Sequence, residues 1–333
     1  FYDMKKIILL TITMIICLIF TLHAQSRADK YWKGANASSD NISFGDNWWS
    51  GSNPTSGDNL YFNNTVTRHW VYSNYGTGSW FSNIITYSGA GGIKLYGDNT
   101  YAFKFENNSD GSLLELSPSS ATAGNREIGN RIDNDLELNP VGSGGILVSC
   151  DRISLDNTNG ARSLKVYGGN TLTIDGYIYE INGTGATFQL LGAATVILKG
   201  NSTYTGSTTV AAGTLELQGS IANSNVIVNS GATLKINGDN VTIKNLTVNS
   251  GGIVEVLANK SFIVDGSDYV FNGTTTIRSG GSMIINGADA EAFSSFTIEN
   301  GAELTINGSS VTFGSDFIIE SNIDGTGSFI VKG

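Results

Sequence analysis

Cysteine, histidine and proline are scarce in this chain, with two, two and three copies among 333 residues. Cys17 sits in an apolar run near the N-terminus, so removal of that run leaves Cys150 without an intrachain partner. Packing and backbone hydrogen bonds, not disulfides, must then hold the fold. His69 has no cysteine near it in sequence, and His-Glu-x-x-His, Cys-x-x-Cys, Gly-x-x-x-x-Gly-Lys and Gly-x-Ser-x-Gly do not occur. Motif-borne zinc, redox, phosphate-cradling and serine-nucleophile chemistry is therefore not expected. Gly-Gly-x-Gly-x-Asp runs, which build calcium solenoids, are missing too. No cofactor and no metal is expected. Charge is also low: 14% of residues are charged, against ~25% in ordinary domains. The balance is acidic, net −10, with no basic block. Nucleic acid and anionic membranes would repel such a chain.

Long apolar runs are absent except for Ile7 to Leu22, which follows Met4, Lys5 and Lys6 and precedes Leu22-His23-Ala24 and the polar Gln25-Ser26-Arg27. A basic start, an apolar core and a small residue before a polar stretch are the layout of a cleaved secretory signal. Residues 1–24 are read as that signal, with no membrane span after cleavage. A membrane anchor is the competing reading, because the run falls just short of the ~18–20 residues that cross a bilayer. Phe1-Tyr2-Asp3 precede Met4, and Ser328 to Gly333 ends in a strand-like run. The expectation is a fragment of a longer product.

What the chain has in plenty is glycine, 42 copies, with abundant Asn, Ser and Thr and alternating β-branched residues. That is a strand-and-turn composition. It is also repetitive. Val228-Asn229-Ser230-Gly231-Ala232-Thr233-Leu234-Lys235-Ile236-Asn237-Gly238 sets an order that recurs at 166–176, 277–287 and 298–308. The run 248–258 fits with Ala258 in the last place, and 210–219 is the same unit one residue shorter. In the 166–176 copy the template places its corner on Gly169; elsewhere it falls on Gly213, Gly231, Gly251, Gly280 and Gly301. Recurrence on this scale marks stacked supersecondary units. The aliphatics two apart, such as Leu234 and Ile236, share one strand face. The glycine between strands suits a tight corner with φ > 0. Four or five inward aliphatics cannot offset the ordering entropy of one such unit, so neighbours must share a core. The pattern predicts an all-β, right-handed parallel β-helix (β-solenoid). Residues 25–100 form an aromatic-rich N-terminal cap with the first strands, and residues 101–333 form solenoid repeats. The rival is an antiparallel stack, because Asn182-Gly183, Asn237-Gly238, Asn272-Gly273, Asn286-Gly287 and Asn307-Gly308 are all hairpin signals.

Gly200-Asn201-Ser202-Thr203-Tyr204-Thr205-Gly206-Ser207-Thr208-Thr209-Val210-Ala211-Ala212-Gly213-Thr214-Leu215 resembles the autotransporter-associated β-strand repeat, over about residues 185–220. It departs from that family's pattern at Ser202, before Thr203. Tyr31-Trp32-Lys33-Gly34, Asn47-Trp48-Trp49 and Pro54 to Phe62 resemble the usual opening of such proteins. The resemblance implies a bacterial surface-exposed or secreted passenger region of adhesin-like type. It also implies a translocating or sorting element on the C-terminal side.

Two groups of side chains are candidate sites. Trp48, Trp49, Trp70 and Trp80 lie, with Trp32, in the first quarter. Rigid aromatics there would stack on sugar rings or on another chain, or else close the open end of the solenoid. Asp133, Asp135 and Glu137 share one strand face, as paired carboxylates or oxygen ligands would. With apolar Ile132, Leu136 and Leu138 at alternate positions they equally make an ordinary solvent-facing strand side. Three functional readings follow. A structural or adhesive passenger engaging glycans or host or bacterial surface components leads. A polysaccharide lyase or glycoside hydrolase built on Asp133, Asp135 or Glu137 with Arg131 or Arg152 comes second. A spacer for a further C-terminal domain is the third.

Overall fold

The computed structural model describes residues 135–307, except 141–142, 157–159, 182–184 and 287–289, together with strands on either side, from Asp29–Trp32 to Ser328–Lys332. Every strand pairing in it is parallel, and the strands fall into sheets of 12, 10, 5 and 3. The stack is a β-solenoid of about seven turns. One turn shows how sequence becomes coil. Ile221–Val228 ends in the 12-stranded sheet. The chain then turns at Gly231, and Thr233–Ile236 enters the 10-stranded sheet. It turns again before Val241–Val248, which lies directly over Ile221–Val228. Each unit is thus two short strands joined by a corner, in different sheets.

The interior is a set of columns. Leu172, Val196, Leu215, Leu234, Val254, Thr275 and Phe296 pair in succession, and each is at most 1% exposed. Ile174, Leu198, Leu217, Ile236, Val256, Ile277 and Ile298 form the column beside it. Leu234, Ile285 and Ile306, on which the shared-core expectation rests, are all fully buried. Parallel strands lie ~4.8 Å apart, so each aliphatic packs on its counterpart above and below.

Backbone hydrogen bonds repeat in step with the columns. Ala211 N–H donates to Leu190 O at 2.9 Å, Asn229 to Val210 at 2.9 Å, and Asn249 to Val228 at 2.9 Å. Asparagine amides do the same: at a corner Asn249 Nδ2 donates to Asn229 Oδ1 at 2.9 Å, and within the long strands Asn245 Nδ2 donates to Asn225 Oδ1 at 3.0 Å.

The antiparallel alternative is overturned. Asn237-Gly238 and Asn272-Gly273 sit at corners between parallel sheets, not in hairpins; Gly183, Gly287 and Gly308 lie outside the described residues. After Asn237-Gly238 the left-handed residue is Asn240, with φ of 56°. Gly238 is needed for another reason: a Cβ there would run into the Gln218 backbone of the previous turn. The corner glycines behave as expected, with φ from 66° at Gly213 to 80° at Gly251. One position needs correcting. In the unit 166–176 the left-handed residue is Gly168, at 71°, not Gly169. A Cβ on Gly168 would collide with the Pro140 carbonyl below, whereas one on Gly169 would meet open space.

Thr275 is the polar member of its column, fully buried, and its Oγ1 finds no hydrogen-bond partner among the described residues. Thr275→Val keeps the shape and removes an unpaired hydroxyl, so it should stabilise the stack by about 1 kcal/mol. Leu234→Ala, by contrast, should cost about 2–5 kcal/mol. The urea unfolding midpoints of both variants test the pair.

Candidate functional site

The segment that interrupts the coil most is Asn201 to Gly206, where the turn has no strand between Thr195–Leu198 and Thr208–Val210. Its polar groups replace the missing ladder. Ser202 N–H donates to Ser220 O at 2.8 Å, and Thr203 N–H to Ile178 O at 2.9 Å. Ser202 Oγ accepts the Ile178 amide at 3.0 Å. Asn201 Oδ1 accepts from Ser220 N–H at 2.8 Å, and Thr205 Oγ1 donates to Glu180 Oε1 at 2.7 Å. Ser202 is buried and ties the neighbouring turns together.

Tyr204 fills the space that a strand would have filled. Its ring is 1% exposed and is the largest fully buried side chain described. Its hydroxyl is 2.6 Å from Thr208 Oγ1, which is 2.7 Å from Ser224 Oγ, which donates to Gly206 O at 2.7 Å. This chain satisfies each hydroxyl inside an otherwise apolar interior. Burial pushes the Tyr204 phenol up to about 12, against the lowering effect of its hydrogen bonds to Thr208 and Ser224. Gly206 is required because a Cβ would strike the Ala186 backbone. The motif is therefore a way of turning the coil without a third strand.

The outer surface is organised by register. Glu137 pairs with Lys104 below and Lys165 above. Asp135 Oδ2 holds Lys165 Nζ at 2.6 Å, and its Oδ1 accepts the Ser163 amide at 2.8 Å. The hydrogen bond it donates to Asp135 holds the Lys165 ammonium above its ordinary range, and the nearby Glu137 charge adds to it. Asp135 and Glu137 flank the buried Leu136 on one strand side, and Asp135 is tied to Lys165 of the next turn. Asp133 and Arg131 lie outside the described residues. Arg152 lies over the Tyr179 ring, 5.4 Å from its centroid. Trp70 opens the strand Trp70–Ser73, while Trp48, Trp49, Trp80 and His69 lie outside the described residues. Cys150 is 3% exposed and donates to Arg152 O at 3.3 Å. No group of three or more His, Cys, Asp or Glu side chains that could hold a metal occurs among the described residues.

Sequence reasoning missed the outer face of the 10-stranded sheet. Arg278 reaches Glu255 at 2.6 Å and Glu299 at 2.6 Å, one carboxylate on each neighbouring turn. Burial works to raise the Glu299 carboxyl, but Arg278 and the Ser279 amide outweigh it and hold the group below its usual range. The clue was there: Arg278 and Glu299 each follow the first aliphatic of their unit, so superposing 277 on 298 puts one over the other. Beside this clamp lies a groove of about 330 Å³, lined by Thr214, Thr233, Lys235, Ile253, Glu255, Thr276 and Arg278.

Geometry thus defines a parallel β-solenoid repeat protein whose distinctive insert is the Asn201–Gly206 turn. Residues 190–217, which include that turn, match the family model described as Passenger-associated-transport-repeat. No curated protein and no solved structure matches the chain.

Two pH effects follow. The folded Tyr204 value stands above the ordinary 10.0, so the unfolded chain ionises first. The stabilisation is complete below pH 10 and is lost as pH rises to about 12. Tyr204→Phe should cost about 1 kcal/mol at neutral pH, and wild type should lose that advantage in alkaline denaturation series. The folded Glu299 value lies below the ordinary 4.5. Its stabilisation is present above pH 4.5 and fades as pH falls through the depressed value. Glu299→Gln should flatten this acid limb in urea melts between pH 3 and 6.

Proposed function

We propose that this chain is an exported passenger region, secreted or displayed at a bacterial surface, that serves as an elongated structural and adhesive scaffold. The observation that carries the reading is the match of residues 190–217 to the passenger-associated transport repeat, set in a parallel β-solenoid. The layout of residues 1–24 supports export. The inward positions are spent on packing, which leaves the outer faces as the surface for contact. Such a surface repeats from turn to turn, and repeated weak contacts gain strength through multivalency.

A non-enzymatic role accords with the same surface. Asp135, one of the three carboxylates on which the lyase or hydrolase alternative could rest, is engaged by Lys165 and by the Ser163 amide.

Export is tested by expressing the chain with an internal epitope tag and digesting intact cells with protease. The tag should be lost from outside, or appear in the medium with residues 1–24 removed. A tag that stays protected in the cytoplasm, with those residues intact, overturns export. Adhesion is tested with beads displaying the purified chain, offered to matrix proteins, glycans and bacterial cells. Beads that bind none of these remove the adhesive role. New sugar ends released from a polysaccharide panel, and lost in Asp135→Asn, would instead establish the enzymatic alternative.

A further inference from the structure

Along this solenoid several outward carboxylates are spent on neighbouring side chains. Glu216 Oε1 accepts from Gln218 and Asn237 at 2.9 and 2.7 Å, Glu255 and Glu299 are taken by Arg278, and Asp135 by Lys165. The groove on the 10-stranded sheet is different. Lys235 stands in register between Glu216 and Glu255, yet both carboxylates already have those other partners. Among the described residues its ammonium has no ion pair, and the hydroxyls of Thr214, Thr233 and Thr276 make no hydrogen bond. Here the surface retains donors and acceptors that it does not use itself.

The groove also has an apolar floor. An outward threonine recurs at Thr171, Thr195, Thr214, Thr233 and Thr274, and Ile253 breaks that column. Ile253 is 42% exposed, one of the few large apolar side chains so placed. From the Thr214 strand to the Thr276 strand is three steps of ~4.8 Å, about 14 Å in all. A ligand that fits must be extended, must carry many hydroxyls and must offer an apolar face. Its charge is constrained as well. Lys235 and Arg278 are outnumbered by Glu216, Glu255 and Glu299, and the whole chain is net −10, so a polyanion would be repelled.

We propose that this groove binds a short neutral oligosaccharide. A sugar-ring face rests on Ile253, and ring hydroxyls bond to Lys235 and to the threonine hydroxyls. The inference rests on the adhesive reading above and gives it a ligand class.

The test is titration of the purified chain with neutral trisaccharides of glucose, galactose, mannose and N-acetylglucosamine, beside trigalacturonate as the anionic counterpart. At least one neutral trisaccharide should bind, and the anionic one more weakly. Lys235→Met keeps the stem and loses the donor, and should weaken binding about tenfold, or about 1.4 kcal/mol. Ile253→Asp should abolish it, while Lys235→Arg should restore most of it; both Lys235 variants sit on an outward strand position and should unfold at the wild-type temperature. Binding by no neutral member, preference for trigalacturonate, or equal binding by wild type and Lys235→Met each overturns the proposal. Beads of wild type and Lys235→Met that adhere equally to cells would remove the groove and leave adhesion standing. Wild-type beads that adhere to nothing, with trisaccharide binding intact, would remove adhesion and leave the groove.

Discussion

Each turn of this protein lies on the next in parallel, residue over equivalent residue, and the remaining features answer to that constraint. A parallel stack places like positions in contact, so an aliphatic inside must meet an aliphatic, as Leu215, Leu234 and Val254 do. The same rule acts outside with opposite consequence. Like charges in register would repel, and Glu216, Lys235 and Glu255 alternate in sign along one row. Corners obey it too, as where the Asn249 amide bonds to Asn229 of the turn before.

The Asn201–Gly206 segment shows how far the coil departs from regularity without losing its core. It gives up a strand, yet Tyr204 restores the buried volume and the Thr208–Ser224 pair satisfies the phenol. Neighbouring turns are tied through Ser202, Thr203 and Thr205, so the stack is not weakened at that level. A family-recognised motif here encodes backbone geometry, and it holds the outer faces of the coil in register.

Much of the architecture was legible in the residues. The recurring Val-x-x-Gly-x-x-Leu-x-Ile order located strands, corners and inward positions, and the buried columns fall where it placed them. The placement of Gly168 was not legible, because two glycines stand together and only the Pro140 carbonyl below decides which must bend. Nor were the partners of Asp135. The acidic run looked like a cluster because its carboxylates are close in sequence, while Lys165, which holds one of them, arrives a full turn later.

By itself the sequence determined the period, the corner glycines and the alternation of buried and exposed positions, because these depend only on strand geometry within one unit. It could not determine the direction of pairing, since an Asn-Gly corner suits a hairpin as well as a coil. Nor could it determine which polar side chains meet on the outer faces. Turns differ in length: Arg278 meets Glu299, 21 residues on, whereas Asp135 meets Lys165, 30 residues on. Only the stacked coil sets those registers, and with them the pairing of Arg278 with two glutamates and the unspent ammonium of Lys235.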